Sequence, residues 1–385
     1  MKILASRLCK PAAASAILPV DVQEFQVAMN RVLIQCVLFP VLVLLLNACS
    51  STRPVAKREP APPYKASVQN PAIDLSKRYA TLTYSGLFPK PGALEPAVEF
   101  WRKTYAVWQR SEVAYHDDRY MDVVYEVMPL PGYVAEGLTP AQKQAMNERR
   151  DFWKARLAGL ESKIRYNAPL DALDKQLISR LESSGRPLTT ILSGASDRVR
   201  AQRGTKERFK RGLEISGRYN LQFRKIFRDA GLPEDLAFLP HVESSFQPAA
   251  RSSAGAVGMW QFTKAAAQTF MPGNESVDRR LDPFASANGA ARYLSYAYGK
   301  LTDWPAAITS YNHGIGGMKR AQNRVGRDFV RIVEDYDGPA FGFASRNYYA
   351  QFLAAREIAV SPEAFFPEGI QYEAPLQPGQ YLAAE

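Results

Sequence analysis

The order of apolar and polar positions changes character along the chain. Residues 32–46 (VLIQCVLFPVLVLLL) form an apolar run of 15, interrupted only by Gln35 and Pro40. From Ser50 to Pro71, five prolines stand among Lys, Arg, Ser and Ala, the composition of a semi-extended tether. From about Glu95 the spacing becomes helical. Residues 117–127 place Met121, Val123, Tyr125 and Val127 in alternation, which predicts a short strand. Thr139 caps an amphipathic stretch through Tyr166, with Phe152, Leu157 and Leu160 as its apolar positions. Another helix is predicted over Leu170–Leu181, stopped by Ser183, Ser184 and Gly185. Residues 196–230 are rich in Arg and Lys, with Phe209, Leu213, Ile215, Tyr219, Phe223 and Phe227 between them. They read as helix with a basic face, either solvated or laid against an anionic polymer. No internal repeat is visible.

The stretch 231–359 is the most informative. Leu236, Leu239 and Val242 form a buried stripe, and Glu243 follows it at the edge of a core. Alone, such a Glu is usually a cap or an ion-pair residue. Next, ARSSAGAVGMWQF (250–262) brings Gly255 and Gly258 into a close turn ahead of Met259, Trp260 and Gln261. Asp282 and Pro283 start a helix whose apolar face is Ala287, Ala290, Ala291 and Leu294. Asp303, Trp304 and Pro305 start another, burying Trp304, Ala307, Ile308 and Tyr311 and ending at Asn312, His313 and Gly314. A last helix runs from Ser345 through Phe352, Leu353 and Ala355 to Ala359.

Composition narrows the class. With 46% hydrophobic and 23% charged residues, global disorder and a polytopic membrane protein are both excluded. All three cysteines, Cys9, Cys36 and Cys49, lie near the start, so the rest of the chain has neither disulfide nor thiolate metal site. Three histidines, His116, His241 and His313, make a histidine-built zinc site implausible; no metal or cofactor is expected. The net charge of +11 favours an anionic neighbour, and no nucleic-acid-binding signature accompanies it.

The apolar run is short for a spanning helix and suits a signal-peptide core. Met29-Asn30-Arg31 precedes it, and Leu46-Asn47-Ala48-Cys49-Ser50 follows. The latter resembles a bacterial lipoprotein box, in which the Cys receives lipid and becomes the new N-terminus. Asn47 is a departure from the usual small residue. Residues 1–28 carry Asp21 and Glu24 ahead of a complete signal, which makes Met29 the expected start. Cleavage before Cys49 removes Lys2, Arg7, Lys10 and Arg31 against Asp21 and Glu24, leaving +9. Ser50 after the Cys implies sorting to the outer membrane.

Five motifs occur in order: Glu243-Ser244, GAVGMWQF, DRRLDP, Ser310-Tyr311-Asn312-His313-Gly314, and Arg346-Asn347-Tyr348. This order resembles soluble-lytic-transglycosylase-type domains, most of all the membrane-bound lytic murein transglycosylase D group. Met259 departs from the common Leu, a volume-conserving exchange. Wall-binding LysM repeats are not expected in the 25 residues after Val360. The resemblance implies a mainly α fold: a lysozyme-like catalytic domain with an N-terminal helical extension. The expected organisation is a signal region (1–48), a lipidated tether (49–90), a helical N-terminal region (91–230), the transglycosylase domain (231–360) and a C-terminal tail (361–385).

The resemblance assigns Glu243 as catalytic acid and base, with Ser244, Met259, Gln261, Tyr311, Asn312 and Tyr348 as substrate-binding or orienting residues. Met259 also suits packing, Ser244 also suits capping, and His313 reads as structural. Tyr311 is the expected hydrogen-bond partner of Glu243. Hydrolysis of a glycosidic bond needs a second carboxylate, and none in 231–359 matches that role. Asp278, Asp282 and Asp303 read as caps. The implied reaction is therefore cleavage of the MurNAc-β-1,4-GlcNAc bond with 1,6-anhydro ring closure, acting on peptidoglycan strands in the periplasm. The alternatives are a goose-type lysozyme and a non-catalytic wall-binding lipoprotein. On the lipoprotein reading, Cys49→Ala shifts the protein out of the outer-membrane fraction; unprocessed chains dominating in wild-type cells would contradict it.

Overall fold

The computed structural model describes residues 86–273 and 278–376. The apolar run, Cys49 and the tether up to residue 85 lie outside the described residues. Among those described, helices α1 (Glu95–Ala106), α2 (Pro140–Arg165), α3 (Ala172–Glu182), α4 (Leu188–Leu192), α5 (Lys206–Asp229) and α6 (Leu239–Glu243) come first. They are followed by α7 (Lys264–Phe270), α8 (Pro283–Leu301), α9 (Trp304–His313), α10 (Ile315–Val325), α11 (Phe329–Asp335) and α12 (Phe343–Val360). Three strands, β1 (Glu112–Asp117), β2 (Val124–Pro129) and β3 (Val199–Arg203), form one antiparallel sheet in the order β2-β1-β3. The mainly α expectation holds.

Local chemistry sets the helix starts. The Thr139 hydroxyl accepts from the Gln142 amide while Gln142 returns a bond to Thr139, a full capping box. Asp282 accepts from the amides of Phe284 and Ala285, and Asp303 accepts from Ala306, each with proline in the first turn. These helices begin where the sequence places them.

Three local readings are corrected. Residues 117–127 are not one strand: Asp117 accepts from the amides of Arg119 (2.8 Å) and Tyr120 (3.0 Å), turning the chain between β1 and β2. Met121 and Val123 are buried from that connection rather than from a strand face. The helix predicted over 196–230 begins only at Lys206, because Val199–Arg203 completes the open edge of β1. On α2, Phe152 is 39% exposed and Trp153 is the buried aromatic, its indole N–H donating to Glu126 at 2.8 Å.

Two apolar clusters result. The smaller joins the sheet to α2 and α3 through Tyr115, Tyr125, Trp153, Leu157 and Leu181. The larger is helical: α1 lies along α12 and α5, and α8 packs on α5 and α9. Thus α1 and α5, both from before residue 231, are walls of the same core that buries α8, α9 and α12. The segment after α12 returns along α5, where Glu373 N–H donates to the Glu214 carbonyl at 2.8 Å.

A buried ion cluster fixes the segment leading into α6. Asp235, in the 3-10 turn Glu234–Phe238, meets Arg356 of α12 at 2.6 Å and Arg224 of α5 at 3.5 Å. All three are buried. Asp235→Ala removes the carboxylate that Arg356 meets at 2.6 Å, while Arg224 keeps Glu234 at 3.1 Å; breaking such a buried pair costs about 3–5 kcal/mol. Chemical denaturation should show a loss of that size, with the m-value unchanged.

Candidate active site

Glu243 closes α6 and faces an open groove of about 680 Å³. The turn behind it is unusual. Ser244 N–H and Phe246 N–H both donate to the Pro240 carbonyl, and Ser245 and Phe246 both take left-handed backbone angles, φ 52° and 56°. Such conformations cost non-glycine residues roughly 1–2 kcal/mol each and persist only where packing enforces them. Here the Phe246 ring is fully buried, its centroid 4.4 Å from that of His241 and 6.0 Å from that of Phe223. His241 also stacks on Phe209, and burial pushes its imidazole down to about 3, so it is a neutral aromatic plate.

The second wall is the 250–262 loop. Gly258 has φ +82°, and a Cβ there would lie 2.0 Å from the Arg280 carbonyl oxygen, so only glycine fits. Arg280 in turn pairs with Asp278 at 2.7 Å and donates to the carbonyls of Gly255 and Phe262. The Ser244 hydroxyl donates to the Met259 carbonyl at 2.8 Å, stitching this loop to the Glu243 turn. Met259 itself is 1% exposed and packs in the core. Gln261 adopts a left-handed φ of 49° and donates to the Gly258 carbonyl at 2.7 Å. It lines the groove together with Glu243.

The tyrosines are arranged differently from the expectation. The Tyr348 hydroxyl donates to Glu243 Oε1. Tyr311, the expected partner, instead donates to the Trp260 carbonyl at 2.9 Å. Burial raises its phenol and that of Tyr105 of α1, and both remain close enough for the Glu243 charge to add to the rise. Asn312 points to α12, where its Oδ1 accepts from the Ser345 hydroxyl at 2.8 Å. His313 lies 5.0 Å from the Phe341 ring, among structural contacts. The structure therefore gathers Glu243, Ser244, Gln261, Tyr311 and Tyr348, sets Met259 in the core behind them, and leaves Asn312 exposed beside α12.

Burial pushes the Glu243 carboxyl up to about 7, against the Tyr348 hydrogen bond, which lowers it. Its side chain keeps partial access to the groove. A carboxylic acid held near neutrality beside solvent can donate a proton and later take one back.

Residues 223–329 match the family described as Transglycosylase SLT domain. That stretch is similar to a transglycosylase SLT domain. The chain is 33% identical over 127 residues to membrane-bound lytic murein transglycosylase F 2 of Alkalilimnicola ehrlichii, covering 31% of this chain and 27% of that protein. It is 32% identical over 92 residues to membrane-bound lytic murein transglycosylase D of Escherichia coli K12, covering 23% and 20%. The chain thus spans about a quarter or less of the length of these relatives. Among solved structures, the 70 kDa soluble lytic transglycosylase SLT70 from Escherichia coli aligns at TM-score 0.30 and 20% identity, over 64% of this chain and 40% of that one. That overlap is too loose to carry an argument.

The matched stretch holds Glu243, Gln261 and Tyr311, but the groove extends beyond it. Arg110, Glu136, Glu207, Arg208 and Arg211 also line it. No motif marks these residues, and only contacts across the fold reveal them. Tyr348 also lies past the matched stretch. Tyr348→Phe removes the one hydrogen bond that favours the ionised carboxylate, so the Glu243 midpoint should rise further above its wild-type value. Carbon-13 NMR titration of the Glu243 carboxyl measures this; an unchanged or lowered midpoint would show the bond has no such effect.

Proposed function

We propose that the chain is a peptidoglycan lytic transglycosylase that cleaves the MurNAc-β-1,4-GlcNAc bond without water, with Glu243 as acid and then base. The observation that carries this reading is one carboxyl raised to about 7 at the floor of a groove, hydrogen-bonded by Tyr348 within the motif order of an SLT protein. Protonated Glu243 donates to the glycosidic oxygen as the C1–O4 bond breaks. The muramyl 6-hydroxyl then attacks C1, and Glu243 takes its proton. The C1–O6 bond closes the 1,6-anhydro ring, and the carboxyl ends as it began. Tyr348 holds Oε1, leaving Oε2 as the oxygen that carries the proton. Gln261 and the 247–252 loop are the substrate-facing groups on one side of the groove. The relatives' names, membrane-bound lytic murein transglycosylases F and D, support a murein substrate and a periplasmic setting. Anchoring to the outer membrane through lipid on Cys49 completes the proposal. Among the described residues no helix is long and apolar enough to cross a membrane.

One observation favours hydrolysis instead. Two further carboxylates, Glu136 and Glu207, share the groove with Glu243. Both are engaged by arginine: Glu136 by Arg208, and Glu207 by Arg110 at 3.7 Å, its Oε2 also accepting from the Arg110 amide. These pairs leave neither carboxylate as a ready base for water, so the transglycosylase reading is preferred.

Mass spectrometry of fragments released from purified sacculi tests both. The expected products end in 1,6-anhydro-muramic acid, one water lighter than reducing ends. Glu243→Gln should reduce release by roughly 10²–10⁴-fold. Activity depends on the protonated carboxyl at the start, so it should fall as pH rises through about 7. Predominantly reducing ends would establish hydrolysis, and undiminished release by the Gln variant would overturn the assignment.

A further inference from the structure

The matched SLT stretch begins at residue 223, within the last third of α5. The part of α5 before it carries a contact to the Glu243 turn that no motif predicts. Arg208 splits its guanidinium between two partners. One nitrogen donates to the Ser244 carbonyl at 3.2 Å, immediately after Glu243. Another pairs with the Glu136 carboxylate.

Both ends of this strap are built. One helical turn beyond Arg208, Gly212 lies so near the same turn that a Cβ would sit 2.6 Å from the Ser245 carbonyl oxygen. The α5 surface at 208–212 therefore cradles the two left-handed residues Ser245 and Phe246. At the other end, the 131–138 loop that carries Glu136 is tied down. Arg203 donates to the carbonyls of Glu136 (2.7 Å) and Ala135 (2.6 Å), and Gln142 donates to those of Pro131 and Tyr133. A loop tied to Arg203 and Gln142 thus holds a carboxylate, which holds a guanidinium, which holds the strained turn.

We propose that Arg208 is a positioning residue for Glu243, acting through the Ser244 carbonyl, and that Glu136 sets the guanidinium for that task. The proposal rests on the reading of Glu243 as the acid. It explains why two consecutive left-handed residues persist beside a groove, where solvent would otherwise let the turn relax. It also gives the region before residue 223 a role in the chemistry, as the fixed side of the turn. Tyr348 from α12, Tyr311 from α9 and Tyr105 from α1 face the carboxyl. Arg110, Glu207, Arg211 and Arg251 share its groove.

The sign of a pH shift separates positioning from a simple charge effect. If Arg208 acted only as a neighbouring cation, its removal would raise the Glu243 midpoint. If it holds the turn, its removal lets water reach the carboxyl, and the midpoint falls from about 7 toward the ordinary 4.5. The test uses the full chain with Arg208→Gln and Glu136→Gln, each read by carbon-13 NMR titration, with Glu243→Gln to assign the resonance. Steady-state cleavage of murein strands is measured alongside. Arg208→Gln should lower the midpoint and reduce kcat by about 10- to 100-fold, with KM changed less than about twofold. Glu136→Gln should shift both in the same directions by less. Arg208→Lys, which keeps the cation but not the forked contact, should also lower the midpoint where a pure charge effect would leave it unchanged, so it decides the matter if Arg208→Gln fails to fold. An unchanged or raised midpoint overturns the proposal, as does a loss confined to KM, which would make Arg208 a substrate contact. A wild type that cleaves no strand defeats the functional reading, while the NMR midpoints still decide the positioning.

Discussion

The cost of ionising one carboxyl where water is largely excluded governs this site. Glu243 titrates near 7 because the fold surrounds it with aromatic and backbone groups on every side but the groove. Desolvation favours the neutral acid; the Tyr348 bond favours the anion. The balance leaves a carboxyl that exchanges a proton at neutral pH. Every other feature of the site serves to keep that environment in place while leaving one side open.

Three structural devices do so, each from a different part of the chain. The Asp235–Arg356–Arg224 cluster locks the approach to α6 against α5 and α12. The neutral His241 plate, between Phe209 and Phe246, fills the space beneath the turn without adding charge. The Arg280 clamp and the Ser244–Met259 bond fix the opposite loop. None of these groups touches the proposed reacting atoms. Their combined effect is a strained turn held in one arrangement, which is what a proton donor needs if it is to meet a bond of fixed geometry.

Much of this was legible in the sequence, where local chemistry decides. The caps at Thr139, Asp282 and Asp303 name their helices, because a short acceptor followed by proline or glutamine satisfies the first-turn amides in almost any context. Motif order singles out Glu243, Gln261 and Tyr348, and the structure sets the Tyr348 hydroxyl on Glu243 and lines one groove with Glu243 and Gln261. What could not be read was set by distance along the chain. Tyr311 and Tyr348 both suit a bond to Glu243, and only the packing of α9 and α12 decides that Tyr348 makes it. Val199–Arg203 is basic enough for a helix surface, and becomes a strand because β1 offers an unpaired edge. Arg208 and Glu136 are 72 residues apart and carry no signal until the fold joins them.

The central claim, that folding holds Glu243 as a neutral acid, is tested most directly through the linkage of its titration to stability. In the unfolded chain the carboxyl loses its proton near 4.5, and in the folded protein near 7. Between these values the native state binds the proton that the unfolded state has released, so stability falls as pH rises. The penalty is absent below about pH 4.5 and complete above about pH 7. Glu243→Gln cannot titrate and carries no such penalty. The measurement is the difference in unfolding free energy between wild type and Glu243→Gln, followed by chemical denaturation across this range. The wild type should lose roughly 2–3 kcal/mol relative to the variant from the acid to the neutral end. A difference that stays flat with pH would mean that the carboxyl is ordinarily ionised and that the fold does not hold it as an acid.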